Sequence, residues 1–369
     1  MKNGDPSVRL LICAGGTGGG VYPALAVHNA LLKERPDLKT LWVGGEGGLE
    51  AGLIERTGIP FKTIPAAGVH GIGLKQLPRN LVQVIRGILA SIRILNAFKP
   101  DVLFFTGGYV AYPMAVAGWL KQSLLYVPDI EPGMALKAIA RFADRITVTA
   151  EASRVYFDKN NIVVTGYPTR PDLTKWTREN AWSVLGLNRN LPTLLVFGGS
   201  KGAHSINTAL LEHLPALLAR VQVVHISGEL DWPLVAARRN NLTATQAERY
   251  HAYPYLHEEM GAALAAADLV VSRAGASSLG EFPLFGLPAI LVPYPYAWRY
   301  QKVNADYLAQ RGAAVMLEDN RLNDELYTTI CTLFDNPGKL DAMRKSMRDL
   351  ARPQAAQSIA AQLAEMAGA

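Results

Sequence analysis

Apolar residues occur mainly as short continuous runs, and most runs are followed by a glycine-containing turn and a longer amphipathic segment. Such runs are typical of strands buried on both faces of a parallel sheet, and the amphipathic segments are typical of helices. The alternation predicts an α/β fold with helices on both faces of each sheet. The strands predicted in the first half are Val8 to Ala14, Leu41 to Val43, Phe61 to Ile64, Val102 to Thr106, Ser123 to Val127 and Ile146 to Ala150.

The alternation breaks near Pro168 to Pro171 and then starts again, which predicts two domains. We interpret the polar segment from Asp172 to Arg189 as the linker between them. The strands predicted beyond it are Thr193 to Phe197, Val221 to Ile226, Leu269 to Val271, Ala289 to Val292 and Ala314 to Leu317. Helices follow from Leu340 to Met366, and we expect the last to pack on the first domain. The predicted domains are residues 1–168 with about 350–369, and residues 169–349.

Length and composition fit two sizeable cores, because the chain has 369 residues and 49% of them are apolar. The two cysteines, Cys13 and Cys331, form no CxxC pair, so a disulfide framework is excluded and a reducing compartment is favoured. The polar N-terminus leaves no room for a signal peptide, and no uninterrupted apolar run reaches the roughly 18 residues that span a bilayer. A soluble or peripheral protein is expected.

Positive charge is concentrated in one stretch of the first domain. The net charge is +6, yet residues 56–100 contain no Asp or Glu. Arg79, Arg86 and Arg93 recur every seven residues, so they share one face of a very apolar predicted helix. A basic edge on such a helix fits an anionic membrane surface, and the alternative is a core helix with a solvated basic edge. Nucleic acid is disfavoured, because exposed aromatic residues are not interleaved with the charge.

Glycine turns follow several predicted strands, among them Gly15 to Gly20, Gly107 with Gly108, and Gly198 to Ala203. Glycine lets backbone amides approach an anion without interference from a Cβ atom. The first turn is not a GxxxxGK[ST] loop, and glycines stand where nicotinamide binding would place an acidic residue. The turns therefore predict ligand binding at the carboxyl ends of the strands, without a nicotinamide cofactor.

The stretch from Ser272 to Asn304 carries the strongest candidate chemistry. Gly275 is predicted to open a helix whose first amides attract anions, and Glu281 is placed about two turns into that helix. A carboxylate there can accept both hydroxyls of a ribose, and Gln301 and Asn304 add amides after the next strand. The stretch predicts a nucleotide-sugar pocket, and the alternative is a turn of small residues that packs a helix on the sheet.

Five segments occur in the order and spacing of the MurG family, which the chain resembles over nearly its whole length. They are Gly15-Gly-Thr-Gly-Gly19, Gly107-Gly-Tyr-Val-Ala-Tyr-Pro113, Gly198-Gly-Ser-Lys-Gly-Ala203, Arg273-Ala-Gly-Ala-Ser-Ser-Leu-Gly-Glu281, and Gln301 with Asn304. The resemblance implies a GT-B fold, with two Rossmann-like domains facing a cleft. It also implies a bacterial, metal-independent inverting hexosyltransferase without a cofactor, peripheral on the cytoplasmic face of the cell membrane. The implied reaction moves GlcNAc from UDP-GlcNAc to the 4-hydroxyl of undecaprenyl-diphosphate-muramyl-pentapeptide, from lipid I to lipid II in peptidoglycan synthesis.

The resemblance implies that the second domain holds most of the donor. Glu281 would accept the ribose hydroxyls, Arg170 would lie near the phosphates, and Gln301 would hold GlcNAc hydroxyls. Ser200 with its neighbouring amides would bind the diphosphate, and His257 and Met260 would contact the uracil region. The implied UDP-GlcNAc-binding residues are Thr17, Gly18, Gly19, Arg170, Ser200, Lys201, Gly202, His257, Met260, Ala276, Ser277, Glu281, Gln301 and Asn304.

The acceptor side departs further from the family pattern. The positions assigned to it are Gly20, His70, Gly107, Gly108 and Tyr109. The family's glycine loop ends in histidine where this chain has Gly20, and a histidine and a glutamate of the family align with Tyr126 and Val127. We therefore assign the general base to Asp129 or, as the second candidate, Glu131, and the alternative is that both carboxylates cap the next helix near Pro132.

These departures leave two other functions open. A MurG-like transferase could act on a different lipid or glycan acceptor, since the altered positions lie on the acceptor side. A non-catalytic relative could bind a nucleotide sugar without transferring it, since the family's histidine and glutamate are missing. Lipid I-dependent turnover distinguishes the first alternative, and any turnover of UDP-GlcNAc excludes the second.

Overall fold

The computed structural model describes residues 7–15, 18–48, 50–68, 77–158, 161–199 and 202–368. The chain divides into two compact units, and each is built around its own parallel sheet. Unit 1 comprises Met1–Thr169 and Pro353–Ala369, and unit 2 comprises Arg170–Arg352.

Unit 1 contains a sheet of seven described strands, all parallel, in the order β3-β2-β1-β4-β5-β6-β7. The strands are β1 Arg9–Ala14, β2 Lys39–Gly45, β3 Phe61–Ile64, β4 Val102–Gly107, β5 Ser123–Val127, β6 Arg145–Val148 and β7 Ile162–Val164. The helices are α1 Gly18–Glu34, α2 Glu50–Glu55, α3 Leu77–Phe98, α4 Ala111–Ala117, α5 Met134–Ala140 and, from the chain's end, α15 Ala355–Met366. A 3-10 helix spans Glu151–Tyr156. The central strands are buried on both faces, which explains their uninterrupted apolar runs.

The C-terminal helix returns to unit 1 and packs against α1. Arg145 at the start of β6 donates to Gln362 at 2.6 Å and to Glu365 at 2.8 Å, so two residues of α15 bind the amino end of this strand. The buried side of α15 includes Ile359 and Leu363.

Unit 2 contains six described parallel strands in the order β10-β9-β8-β11-β12-β13. The strands are β8 Thr193–Phe197, β9 Gln222–Ile226, β10 Tyr250–Tyr253, β11 Leu269–Ser272, β12 Ala289–Leu291 and β13 Ala314–Met316. The helices are α6 Arg178–Leu185, α7 His204–Leu218, α8 Trp232–Asn240, α9 Ala244–Ala247, α10 Met260–Ala266, α11 Glu281–Phe285, α12 Trp298–Ala309, α13 Leu322–Phe334 and α14 Pro337–Asp349. Short 3-10 helices span Pro171–Lys175, Ala276–Leu279, Pro295–Ala297 and Asp319–Arg321.

The chain order reverses once in each sheet, between β1 and β4 and between β8 and β11. In open α/β sheets, ligands bind outside the carboxyl ends of the strands at this reversal. The glycine turns after β1, β4 and β8 and the stretch after β11 all lie at these two places. The α/β two-sheet fold class is therefore confirmed, and each sheet offers one ligand-binding edge.

Several predicted boundaries were wrong. The short polar-flanked strands β7 and β10 were missed, and α1 begins at Gly18, so Pro23 lies inside that helix. The segment interpreted as a linker, Asp172 to Arg189, largely folds into a 3-10 helix and α6, and α6 packs against α10 within unit 2. A capping box at Thr177 starts α6. These local hydrogen bonds stabilise a helix in a polar segment that the sequence predicted to be a linker.

The basic helix α3 is long and mostly outside the core. Pro78–Phe98 is apolar enough, by length and composition alone, to cross a membrane, although only 28% of its most apolar window is buried. This test allows charged residues within the segment, whereas the expectation from the sequence concerned uninterrupted apolar runs. Five large apolar side chains of the helix are more than a third exposed, namely Leu81, Val82, Ile85, Leu89 and Ile92.

Candidate functional site

The glycine turn after β8 brings backbone close to a neighbouring loop of unit 2. Gly202 has φ of +76°, and a Cβ there would lie 2.3 Å from the carbonyl oxygen of Ser227. Only glycine fits this close approach to Ser227. Helix α7 begins two residues later, at His204. Gly202 is therefore placed as predicted, at the amino end of a helix of 15 residues. Ser200 and Lys201, the other residues predicted for this turn, lie outside the described residues.

A buried polar chain fixes the start of α7 against β9. Asn207 donates through Nδ2 to Ser227 O at 2.9 Å and to Asp231 at 2.7 Å. Its Oδ1 lies 2.9 Å from Nε2 of His225, whose Nδ1 lies 2.7 Å from the hydroxyl of Tyr250. Burial lowers the pKa of His225 to about 3, so this histidine is neutral at pH 7 and acts as a structural hydrogen-bonding group.

The stretch after β11 differs from the predicted single helix. A 3-10 turn spans Ala276–Leu279, and Glu281 is the first residue of the separate helix α11. The prediction that Glu281 lies about two turns into a helix was therefore wrong, because Gly280 interrupts the helix with φ of −124°. The turn and α11 together still bring Ala276, Ser277 and Glu281 to the carboxyl end of β11.

Glu281 has the electrostatic environment expected of a ligand-binding carboxylate. The pKa of Glu281 is raised to about 7, mainly by burial and to a smaller extent by the charge of the nearby Asp172. Arg170 and a hydrogen bond from Ser277 act in the opposite direction and favour the charged form. Arg170 itself lies 3.9 Å from Asp172. The structure thus brings together three residues predicted for the donor, Arg170, Ser277 and Glu281.

Arg273 was missed as a candidate site residue, although its motif was recognised. Its side chain is only 9% exposed and pairs with Asp319 on the loop after β13. The guanidinium also donates to the Ser205 hydroxyl at 2.8 Å and to Val292 O at 3.2 Å, and it lies over the ring of Tyr294 at 5.3 Å. One cation therefore connects the ends of four strands, β8 through α7, β11, β12 and β13. An arginine directly after a strand was the sequence signal.

The two predicted amides after β12 support the same edge of the sheet. Asn304 is fully buried and donates through Nδ2 to Ala274 O at 3.1 Å. Gln301 accepts a hydrogen bond from the backbone amide of Tyr294 at 2.8 Å. Asn304 thus fixes the loop after β11 through Ala274 O, and Gln301 fixes the loop before α12 through the amide of Tyr294.

His257 lies on the loop that follows β10, and Met260 is the first residue of α10. His257 is exposed and its ring stands edge-on to Tyr255, with 4.7 Å between the centroids. The indole of Trp176, which directly follows the 3-10 helix Pro171–Lys175 of the same unit, donates to Glu258 O at 3.2 Å and holds this loop in place. His257 and Met260 follow β10, whereas Glu281 follows β11. The two strands belong to the same sheet of unit 2.

On unit 1, the described acceptor residues lie at or beyond the carboxyl ends of the neighbouring strands β1 and β4, namely Gly20, Gly107, Gly108 and Tyr109. Gly108 has φ of +84°, and a Cβ there would lie 2.6 Å from Gly15 O, so the two loops touch through backbone. The Thr106 hydroxyl donates to Gly20 O at 2.8 Å, and Tyr109 next to Gly107 and Gly108 is 56% exposed. Gly18, Gly19 and Gly20 form the first turn of α1 rather than a loop before it. Thr17 and His70 lie outside the described residues.

The candidate bases occupy the loop after β5. Asp129 is half-buried, whereas Glu131 is buried and its Oε1 lies 3.4 Å from Nζ of Lys137 on α5. Helix α5 begins at Met134 with Gly133 as its N-cap, so neither carboxylate occupies the capping position. Tyr126, where the family has histidine, is fully buried and its hydroxyl lies 2.8 Å from that of Thr149. Burial raises the pKa of Tyr126, and the charge of Asp129 adds to the effect.

Clusters of three or more His, Cys, Asp or Glu side chains suited to a metal ion do not occur within the described ranges. The chemistry that these ranges offer consists of carboxylates, guanidinium groups, amides and helix ends. Such groups can bind a nucleoside diphosphate and stabilise it as a leaving group.

Comparisons with known proteins agree with this arrangement. Residues 10–148 match the N-terminal domain of glycosyltransferase family 28, and residues 193–363 match its C-terminal domain. A protein of Roseiflexus sp. is 38% identical over 97% of this chain and 95% of its own length. A protein of Desulforudis audaxviator is 38% identical over 98% of this chain and 99% of its own length. Both are named UDP-N-acetylglucosamine–N-acetylmuramyl-(pentapeptide) pyrophosphoryl-undecaprenol N-acetylglucosamine transferase.

Solved structures give the same result. The crystal structure of Acinetobacter baumannii MurG superposes with a TM-score of 0.78 at 26% identity, covering 97% of this chain and 99% of that one. A UDP-GlcNAc 2-epimerase from Neisseria meningitidis shares the fold, with a TM-score of 0.67 at 13% identity over 97% of this chain and all of that chain (100%). The full-length similarity, the two-sheet fold and the arrangement after β11 together identify the chain as a member of the MurG family, within glycosyltransferase family 28.

Proposed function

We propose that this protein transfers GlcNAc from UDP-GlcNAc to the 4-hydroxyl of the muramyl sugar in undecaprenyl-diphosphate-linked muramyl-pentapeptide. The observation that carries this proposal is the similarity over nearly the whole chain to transferases named for that reaction. The arrangement of Arg170, Ser277 and Glu281 on one sheet edge supports it independently, because it suits a nucleoside diphosphate sugar.

The donor is assigned to unit 2. The Glu281 carboxylate accepts the ribose hydroxyls, and the amides at the start of α7, with Arg170, neutralise the diphosphate. His257 and Met260 contact the uracil, and Gln301 contacts the GlcNAc hydroxyls. Asn304 and Arg273 hold the loops that carry these groups. The roles of Thr17, Gly18 and Gly19 toward UDP-GlcNAc stay predictions from the resemblance.

The proposed reaction forms one bond, breaks one bond and transfers one proton. The acceptor hydroxyl oxygen attacks the anomeric carbon, the bond from that carbon to the diphosphate breaks, and its electron pair leaves with UDP. The hydroxyl proton passes to a carboxylate, for which Asp129 is the first choice. Glu131 is second, because it is buried and its Oε1 is already paired with Nζ of Lys137 at 3.4 Å. Attack opposite the leaving group inverts the anomeric centre.

Release of UDP by the purified protein tests the activity. UDP-GlcNAc is incubated with and without a soluble lipid I analogue, in EDTA so that no free divalent cation contributes. We expect UDP release that depends on the acceptor. Tight binding of UDP-GlcNAc without acceptor-dependent release would contradict the proposed acceptor, and absence of UDP-GlcNAc binding would contradict the donor assignment as well.

A different lipid or glycan acceptor is the second candidate function. Tyr126 and Val127, where the family has histidine and glutamate, are fully buried core residues and offer no side chain to an acceptor. At Gly20 a Cβ would lie 3.3 Å from Thr106 O, so a histidine would require Thr106 to move. Transfer to another undecaprenyl-linked sugar, with none to lipid I, would favour this alternative.

Helix α3 is the proposed contact with an anionic membrane surface, on the cytoplasmic side. Its five exposed apolar side chains cover about 100° of the helix circumference. Arg79, Arg86 and Arg93 are exposed and form one border of that stripe. An apolar stripe bordered by arginines fits a helix lying in the interface plane, with its charges among anionic headgroups.

Binding to vesicles tests this surface. Arg86→Glu is expected to weaken binding to anionic vesicles about tenfold or more, because each nearby cation contributes about 1 kcal/mol and the reversal counts twice. Arg141→Glu, an exposed arginine of unit 1 outside α3, is the matched control and should have a smaller effect. Equal effects of the two variants would show that only net charge matters and would refute the role of α3.

A further inference from the structure

Glu50 is a buried carboxylate of unit 1 to which the proposed reaction gives no role. It opens α2 and is only 2% exposed. The amide of Gly45 donates to its Oε1 at 2.8 Å. Glu50 therefore lies beside the carboxyl ends of β1 and β2, next to the strand reversal where ligands bind.

Glycine backbone surrounds this carboxylate. A Cβ atom at Gly15 would lie 2.5 Å from Oε1 of Glu50, one at Gly44 would lie 2.9 Å away, and one at Gly48 would lie 2.3 Å away. Side chains at these positions would displace the carboxylate, since real Cβ atoms do not come so close. Gly44 near the end of β2 and Gly48 after it thus have a structural explanation, because they leave room for Glu50.

The loop after β1 is held from its other side as well. Gly15 contacts Gly108 of the loop after β4, and Trp42 donates through Nε1 to Ala14 O at 3.0 Å. Gly15 therefore lies between the Glu50 carboxylate and the loop that carries Tyr109. The position of Gly15 fixes where the chain enters the first turn of α1, which contains Gly18, Gly19 and Gly20.

We propose that Glu50 is a positioning residue that holds Gly15 and, through the contact of Gly15 with Gly108, the loop that carries Tyr109 in the conformation that receives the acceptor. This inference rests on the proposed assignment of that loop to the substrates. The carboxylate acts through Gly15 and Gly45 and does not itself contact substrate.

The charge of Glu50 is part of this role. A carboxylate accepts hydrogen bonds only, so either of its oxygens can take the Gly45 amide, and a charged acceptor binds that amide more strongly than a neutral one. A glutamine of the same size has one acceptor oxygen, and its NH₂ group cannot accept from the Gly45 amide. Charge and shape can therefore be separated by one substitution.

Glu50→Gln in the full chain is the central experiment, with Glu55→Gln on the same helix as the matched control, because Glu55 is exposed. We expect Glu50→Gln to lower kcat, or raise KM for a soluble lipid I analogue, about tenfold or more, as expected when a positioned loop loosens. The Kd for UDP should stay within about twofold, since the contacts to its ribose, diphosphate and uracil are assigned to Glu281, Arg170, the start of α7 and the loop before α10, all in unit 2. Glu55→Gln should change none of these constants.

Hydrogen–deuterium exchange supplies a readout that does not need activity. Peptides covering residues 15–21 and 44–50 should exchange faster in Glu50→Gln, and peptides of unit 2 should not. Unchanged exchange in these peptides would overturn the proposal even if the wild-type protein transferred GlcNAc to no lipid I analogue. A wild-type protein that lacks transfer, with faster exchange only in the variant's loop, would instead refute the proposed acceptor and keep the role of Glu50.

A pair of alanine substitutions tests the packing directly. Gly48→Ala alone should displace the carboxylate and reproduce the kinetic effect of Glu50→Gln. In a Glu50→Ala background, which removes the clashing group, Gly48→Ala should have little further effect. Additive effects, or a loss of UDP binding together with a general loss of folding in all Glu50 variants, would show a merely structural residue.

Discussion

Replacing Glu281 by glutamine should make the folded protein more stable at neutral and alkaline pH. The Glu281 carboxyl loses solvent on folding, and its pKa rises from 4.5 to about 7. Between these two values the folded chain binds more protons than the unfolded chain. The stability therefore falls as the pH rises through this window, and the loss is complete above about pH 7.

The magnitude follows from the difference between the two pKa values. Each pKa unit corresponds to about 1.4 kcal/mol, so the ionised Glu281 destabilises the fold by about 3 kcal/mol above pH 7. Glutamine has nearly the same shape and no charge, so Glu281→Gln should recover most of this free energy at pH 8 and almost none at pH 4.5 or below.

Urea unfolding at pH 5 and pH 8, followed by tryptophan fluorescence, measures the effect. With a slope of about 2 to 3 kcal/mol per molar urea, the midpoint of Glu281→Gln should exceed that of the wild type by about 1 M at pH 8. Glu179→Gln, an exposed position of α6, should shift the midpoint by an amount equivalent to about 0.5 kcal/mol or less.

The same carboxylate should make UDP binding depend on pH. Ribose hydroxyls donate to the ionised form, so the affinity of the wild type for UDP should rise from pH 6 to pH 8, and Glu281→Gln should bind weakly at both. A wild-type stability that does not fall between pH 5 and pH 8 relative to Glu281→Gln would refute the burial argument. An affinity for UDP that the substitution leaves unchanged would refute the ribose assignment.

Other positions give further expectations. Asn304→Ala removes a buried hydrogen bond to Ala274 O and should lower the free energy of unfolding by about 2 kcal/mol in urea titrations. Arg273→Lys cannot bind Ser205, Asp319 and Val292 O together, so it should lower the stability by about 2 to 4 kcal/mol and weaken UDP binding in calorimetry. Asp129→Asn should reduce kcat about 10²- to 10⁴-fold with an unchanged Kd for UDP, and Glu131→Gln should reduce it less. A larger loss in Glu131→Gln would reverse the assignment of the base.

The sequence predicted the strands and the sheet class well, because parallel strands buried on both faces appear as continuous apolar runs, as in Leu10 to Ala14. It was less informative where tertiary contacts decide. Helix α6 looked like a linker, since its polar sequence carries a weak apolar pattern, and its capping box and its packing against α10 determine its structure. Strand β10 alternates buried and half-buried residues at the edge of the sheet and was missed.

In the candidate site, too, residues with a local sequence pattern were predicted, and residues whose role depends on tertiary contacts were missed. Glu281 and Asn304 were found from their motifs, since spacing after a strand places residues at the sheet edge. The roles of Arg273 and Glu50 depend on partners far away in sequence, Asp319 and Gly15, which no local pattern reveals. The interruption of the helix at Gly280 was also invisible, because the small residues before it fit an α-helix and a 3-10 turn equally well.

The most direct test of the account is the mass of the acceptor after incubation with the protein. A soluble lipid I analogue, UDP-GlcNAc and EDTA are combined with the wild-type chain, and the acceptor is followed by mass spectrometry. The account predicts an acceptor that gains one GlcNAc, with release of one UDP for each transfer. An acceptor of unchanged mass, with UDP-GlcNAc bound by the protein, would contradict it.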